Sequence, residues 1–290
     1  MKTHDHAAVN HGPKNLLMLA AALTAFTFGA ELAGGLWTNS MALLSDAGHL
    51  FMDLTALLFS LFALRLAERP ATDRRTFGLH RLEVFAAFLN GALVTGVAVW
   101  IMTESLERLR TVPDVKVGPM LGLALAGLAV NLLVAWRLHR FVPHDINLRG
   151  AFLHVAGDAL ASVGVVAGGL LIKATGAMII DPLVGIFVGA VIVVNAFRLL
   201  KDSIHILLEG VPEHIDLPEV IAALKSVPGV AAVEDTHVWN ICSHLSTFSA
   251  HVALRADKAQ EQQQVVEAIN RLLRDRFRIE HSTIQVRFID

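Results

Sequence analysis

Six stretches of this chain stay apolar for about as long as a helix needs to cross a bilayer, roughly 20 residues. They lie near residues 15–37, 40–66, 82–108, 117–140, 148–173 and 177–200. Lipid offers no water to an unpaired peptide group, so each stretch is expected to be an α-helix. The breaks between them carry polar, Pro or Gly punctuation: Thr38-Asn39-Ser40, Arg69-Pro70, Val112-Pro113-Asp114, Pro143-His144-Asp145 and Thr175-Gly176. Composition agrees, because 54% apolar residues and a mean hydropathy of +0.56 are too high for an ordinary soluble domain. The first apolar run follows a polar tail and lacks a small-residue cleavage site, so it reads as a retained helix and not as a signal peptide.

An even number of spans puts both termini on one side. Lys2, Lys14, Arg65, Arg69, Arg74, Arg75, Arg81, Arg137, Arg140, Arg149, Arg198 and Lys201 share that side, and only Arg108, Arg110, Lys116 and Lys173 fall on the other. Basic residues collect on the cytoplasmic side of membrane proteins, so both termini are expected in the cytoplasm.

Beyond Lys201 the pattern changes. Residues 1–200 hold 15 Lys and Arg against 13 Asp and Glu, whereas residues 201–290 hold 9 against 13. The segment 215–226 reads as a short helix, with Asp216 at its N-cap and Pro218 in its first turn. Residues 229–240 read as a strand. In 246–254, Phe248, Ala250, Val252 and Leu254 alternate with Thr247, Ser249 and His251, which is the period of a half-buried strand. Residues 257–277 form an amphipathic helix with Val265, Ile269, Leu272 and Leu273 on its apolar side, and Ile284, Val286 and Phe288 make one face of a last strand. This α-β-β-α-β order fits a small α+β sandwich with helices on one sheet face and His237 and His251 on the other. So small a core is expected to gain stability by dimerising. Three parts result: a His-containing tail (1–14), a six-helix membrane domain (15–200) and a cytosolic domain (201–290).

The polar residues inside the spans carry the functional signal. His49 and Asp53 are four apart in the second span, and so are His154 and Asp158 in the fifth. Positions i and i+4 share a helix face. If the two spans pack together, two imidazoles and two carboxylates converge as a tetrahedral N2O2 set, which suits Zn²⁺ and neutralises its charge. An Asp near mid-membrane costs roughly 2.5–3.5 kcal/mol on insertion scales, so ionisable groups there are functional by default. A polar clamp between helices, or a proton relay without metal, is the competing reading. Asp46 shares the face of His49 and can orient it or line an ion path, and Glu31 can line the same path. Asn90, Asn131 and Ser162 read as interhelical hydrogen-bond partners. His237, His251 and His281 in the last domain are either a metal site or three surface histidines, with Gln285 or Asp290 as possible neighbours. The tail residues His4, His6 and His11 fit loose metal capture and an inert tail equally well. One cysteine, Cys242, excludes an internal disulfide and a Cys-cluster metal site. A net charge of −2 gives no sign of a nucleic-acid partner, and no organic cofactor is expected.

These residues resemble the cation diffusion facilitators. Ser45-Asp46-Ala47 leading into His49 and Asp53 is similar to their second helix, and Thr76-Phe77-Gly78-x-His80-Arg81-x-Glu83 to the approach to their third. Ala151-Phe152-Leu153-His154-x-x-Gly157-Asp158, Asp181-Pro182 and Thr283-Ile284-Gln285 extend the likeness over nearly the whole chain. The resemblance implies a six-helix transporter with a cytosolic ferredoxin-like domain, acting as a homodimer that exchanges metal for protons. It is closest to the zinc-preferring branch, some of whose members also carry cobalt and cadmium, whereas manganese- and iron-type relatives tend to use other ligands. It further implies that His49, Asp53, His154 and Asp158 are the transport site. His237, His251 and His281 match metal-binding histidines of the cytosolic domain, and Arg81 and Glu209 match a dimer interlock. Some relatives hold an extra metal in the loop before the third helix. Here Arg75 and Leu79 stand at the histidine positions, so no ion is expected there.

The resulting expectation is a Zn²⁺/H⁺ exporter working by alternating access, its cytosolic domain regulated by metal. The alternative within the family is a Cd²⁺, Co²⁺, Fe²⁺ or Mn²⁺ exporter. A membrane metallohydrolase is disfavoured because a catalytic zinc keeps one position open for water, and four protein ligands leave none. A carrier of organic solutes needs a larger aromatic-lined cavity, and these spans contain no tyrosine.

Overall fold

The computed structural model describes residues 11–67, 69–139, 146–242, 245–255 and 261–289, with side chains in these ranges except 11–18, 20, 64, 67, 138, 146–151 and 154. The tail histidines 4, 6 and 11 and Asp290 therefore lie outside the described side chains. Six long helices come first: α1 (His11–Thr38), α2 (Met41–Ala67), α3 (Arg81–Arg110), α4 (Val117–His139), α5 (Ile146–Thr175) and α6 (Ile180–Leu207). Each expected span is one of these helices. Five of them, α2 to α6, contain a described stretch long and apolar enough to cross a membrane.

The chain divides into two compact units, one of residues 1–58 and 90–197 and one of 59–89 and 198–290. In the first, α4 packs along α5 and α1. Large apolar side chains such as Leu160, Phe187 and Phe26 stay more than two-thirds exposed, at 73%, 71% and 72%. That pattern suits helices whose outer faces meet lipid tails, where burying a leucine between helices gains nothing over leaving it in hydrocarbon. The helices also bury polar residues between them, among them Ser40, Ser45, Asp46, Asn131, Ser162 and Asp181, beside apolar ones such as Leu43, Ile101, Met120 and Ile192.

The second unit holds α7 (Leu217–Lys225), β1 (Val230–Cys242), β2 (Leu245–Arg255), α8 (Gln262–Phe277) and β3 (His281–Ile289). The sheet order is β1-β2-β3, antiparallel between β1 and β2 and parallel between β2 and β3. A parallel pair needs a crossover, and α8 supplies it. Val220 and Leu224 of α7 and Ile269 and Leu273 of α8 bury against Val238, Phe248, Val252 and Leu254. Both helices therefore cover one sheet face, as the alternation in the sequence requires. Asp216 does occupy the N-cap position of α7, but its side chain makes no capping hydrogen bond, and Pro218 opens the helix.

The other face is set by register and by the middle one of three irregularities in the β1–β2 pairing. Glu234 pairs with His251 and His237 with Ser249, so β1 carries one extra residue between the two pairs. Such a bulge re-aims side chains. Residues directly opposite share a face, so Glu234 and His237, three apart, both join His251 and Ser249 on the solvent side. Within the bulge Asp235 takes φ +48°, left-handed backbone that is uncommon for a non-glycine residue.

Candidate metal centre

His49 and Asp53 lie one turn apart on α2, and Asp158 lies on α5. One ligand atom from each of the three falls within 4.8 Å of the other two. His49 Nε2 is 3.3 Å from Asp158 Oδ1, with the two side chains 16% and 5% exposed. Two ligands of one Zn²⁺, each about 2.0–2.2 Å from it, stand no more than about 4.4 Å apart, so the three groups are within a few tenths of an ångström of a single-ion span. His154 is four residues before Asp158 on α5, and its side chain is outside those described.

The surroundings hold α2 against α5. Ser162 on α5 donates its hydroxyl to Asp46 Oδ2 at 3.1 Å, and Asn131 Nδ2 on α4 donates to Ser162 Oγ at 3.4 Å. Asp46, one turn before His49, is thus tied through a hydroxyl to the helix that carries Asp158. Glu31 on α1 is 1% exposed, and neither carboxyl oxygen finds a hydrogen bond among the described residues. Its room comes from α4: a Cβ on Gly127 would collide with Glu31 Oε1, so any side chain there would have to displace the Glu31 carboxyl. Glu31 and Asp46 are near enough to act on each other electrostatically, which puts both at one polar seam.

A second mooring fixes the start of α2. Asp181, fully buried at the start of α6, accepts hydrogen bonds from Ser40 Oγ at 2.5 Å, Met41 N at 2.6 Å and Ala42 N at 3.2 Å. The two amides are N–H groups that a helix N-terminus leaves without partners, and a carboxylate there also meets the positive end of the helix dipole. One turn on, Ser45 Oγ donates to Gly185 O of α6 at 3.3 Å. Arg108 closes the corner by donating to Asn39 O at 2.9 Å and to Glu104 at 2.8 Å. From the sequence, Asp181 stands out only through the family likeness of Asp181-Pro182. Its capping of another helix 140 residues away in the chain needs the tertiary structure.

In the C-terminal sheet the three expected histidines part company. Asp235 gathers two of them: His237 Nε2 lies 3.0 Å from Asp235 Oδ1, and His251 Nδ1 lies 3.8 Å from Asp235 Oδ2. Gln285 pairs directly opposite His251 on β3. His281 is elsewhere. It pairs with Thr247, four positions along β2 from His251, or about 13 Å at 3.3 Å per residue. There its ring meets Phe77 edge-on at 5.9 Å between centroids. The parallel register of β3 is the reason: it starts His281 at the far end of the sheet. Within one chain His237 and His251 are therefore brought together, and His281 is not. Asp235 is the residue that sequence reading passed over. Its signal was its place two before His237, but only the bulge turns it between the two rings.

Arg81 Nη2 and Glu209 Oε1 form an ion pair of 2.8 Å within the chain, their side chains 49% and 58% exposed. A pair so open to solvent contributes about 0–1 kcal/mol by itself.

Comparisons with known proteins give the family of the chain. Residues 17–208 match the model of the cation efflux transmembrane domain, and residues 212–287 match that of the cytoplasmic domain of cation efflux proteins. The metal cation efflux system protein CzcD of Cupriavidus metallidurans is 37% identical over 98% of this chain and 88% of its own length. A cadmium, cobalt and zinc/H(+)-K(+) antiporter of Bacillus subtilis is 37% identical over 97% of this chain and 89% of its own. The zinc transporter ZitB of Escherichia coli is 37% identical over 99% and 92%. This chain is an integral, multi-pass membrane protein of the cation efflux family.

Proposed function

We propose that this protein exports divalent metal from the cytosol, zinc first among its cargoes, by alternating access in exchange for protons. The observation that carries the reading is the convergence of His49, Asp53 and Asp158 from two membrane helices. His154 is the fourth ligand, reached by its i+4 spacing from Asp158. Two neutral imidazoles and two carboxylates cancel the charge of a dication, so the loaded site crosses low dielectric without net charge. The relatives' names support the cargo, since they include zinc, cadmium and cobalt.

In this cycle the ligands take up zinc from the cytosolic side, and the loaded site turns outward. Protons outside then compete for the same nitrogen and oxygen atoms and release the ion, because ligation needs unprotonated His and carboxylate. Asp46 orients His49 through its bond to Ser162, and Glu31 lines the path beside it.

The parts divide as tail (1–14), transport domain (15–200) and cytosolic domain (201–290). Both termini face the cytoplasm, on the distribution of Lys and Arg, and the bacterial relatives support a bacterial inner membrane. The protein works as a homodimer, which the match to the dimerising cytoplasmic domain supports, and Arg81 and Glu209 interlock there. A regulatory zinc binds at His237 and His251 with Asp235 as an added ligand. His281, far along the sheet from them, joins such a site only from a second copy of the chain.

Flux into reconstituted vesicles under an imposed pH gradient tests the central claim, with Zn²⁺, Cd²⁺, Co²⁺, Fe²⁺ and Mn²⁺ compared. Asp158→Ala is expected to lower zinc flux by two orders of magnitude or more and to abolish stoichiometric binding at the membrane site. Transport at the parent's rate in that variant would show the site to be wrong.

A further inference from the structure

The loop between α2 and α3 lines a cavity of about 440 Å³ with Arg74, Arg75, Phe77, Arg81, Glu209 and Trp239. That volume lies within the range of small-molecule sites, about 300–1,000 Å³. The lining is unbalanced in charge. Arg81 is paired with Glu209, but neither Arg74 nor Arg75 has an ion pair or side-chain hydrogen bond among the described residues. Two guanidiniums, ten donors in all by their chemistry, are thus presented without a protein acceptor.

The loop is held in place. Thr72 and Arg75 exchange backbone hydrogen bonds of 3.1 and 2.9 Å, which closes a tight turn with Arg74 inside it. Gly78, at φ +66°, accepts the left-handed conformation that turns the chain toward α3. Phe77 docks on His281, and Arg81 on Glu209. Groups already positioned lose less freedom on binding.

Depth identifies the occupant. The same compact unit includes the end of α2 and the start of α3, where Leu61, Phe62, Phe85 and Leu89 stay exposed at 46%, 61%, 47% and 41%. Four residues separate Arg81 from Phe85, about 6 Å along the helix. Arg81 therefore sits about one turn beyond these exposed apolar side chains, and Arg74 and Arg75, which line the same cavity, lie in the loop that precedes it. Phe77 and Trp239 add aromatic surface of the kind found at membrane–water interfaces. The stretch expected to bind no cation has the charge of an anion site.

We propose that this pocket binds the phosphate of an anionic phospholipid through Arg74 and Arg75, tying the α2–α3 loop and the C-terminal sheet to the membrane surface. Near an anionic bilayer each basic residue is worth roughly fivefold in affinity, so the pair is worth roughly 25-fold.

The test is native mass spectrometry of the full-length protein in detergent, titrated with phosphatidylglycerol and, separately, phosphatidylcholine. Calorimetry with inorganic phosphate forms a parallel arm. The variants are R74Q/R75Q and, as a charge-matched control on the exposed side of α8, R271Q/R274Q. Retained zinc binding shows that each variant is folded. The expected result is a preference for phosphatidylglycerol of severalfold or more that falls close to unity in R74Q/R75Q and persists in the control. Binding of inorganic phosphate to the parent and not to R74Q/R75Q, without lipid preference, would keep the anion site and overturn the lipid as its source. An unchanged lipid preference in R74Q/R75Q, or an equal loss in the control, would overturn the proposal.

Discussion

His49 and Asp158 stand 3.3 Å apart on different helices, and nearly everything proposed for transport depends on that closeness. Both groups bind metal only when unprotonated. Protons therefore compete with zinc, and affinity is lost as pH falls, not as it rises. With an ordinary imidazole value of about 6.5, zinc affinity at the membrane site is expected to weaken by about tenfold or more between pH 7.5 and 5.5, as read by competition with a chelating dye. Glu31 offers a test that leaves the ligands alone. Gly127→Ala puts a methyl group where Glu31 Oε1 now lies, so the carboxyl must move. Zinc flux is expected to fall about tenfold while equilibrium zinc binding stays within about threefold of the parent. Equal losses in both would show that the variant disturbs the metal centre itself.

At the scale of the helix, the position of His49 is decided at the far end of α2. Asp181 receives three hydrogen bonds from Ser40, just before α2, and from the first two residues of α2, and they register α2 on α6 two turns before His49. Asp181→Ala strands these buried donors, each at a cost of about 1–3 kcal/mol. The variant is expected to melt several degrees lower in the same detergent and to bind zinc more weakly, whereas Asp181→Asn, which keeps one acceptor, should recover part of both. A fall in melting temperature with unchanged zinc affinity would confine Asp181 to stability. In the sheet, the bulge in β1 plays the corresponding part. Without its extra residue, Glu234 and His237 would lie on opposite faces, and Asp235 would not reach two histidines.

For the whole molecule, the Arg81–Glu209 pair joins the start of α3 to the end of α6, next to the residues that lead into the cytosolic domain. One exposed pair within the chain adds little stability, so the proposed interlock role is tested by charge reversal. Reversal at either position alone, Arg81→Glu or Glu209→Arg, is expected to reduce zinc flux severalfold, and the double reversal to restore most of it. If the double variant is as slow as either single one, the pair does not act as an interlock.

Much of this was legible in the chain itself. Lipid admits only helices and closed barrels, so six apolar runs of spanning length dictate six helices whatever else happens. The period of two in 246–254 and the 3.6-residue period of 257–277 likewise dictate which faces bury in the C-terminal domain. The i+4 spacing of His49 with Asp53 and of His154 with Asp158 puts each pair on one face of its helix. Long-range pairing is another matter, because no local pattern encodes which residue 100 positions away comes near. Only the tertiary structure put Asp158 beside His49, set Asp181 as the cap of α2 and cleared Gly127 for Glu31. Only the parallel register of β3 took His281 away from His237 and His251, and only a one-residue bulge substituted Asp235. Spacing along a helix or strand follows from backbone geometry, whereas convergence between elements follows from packing.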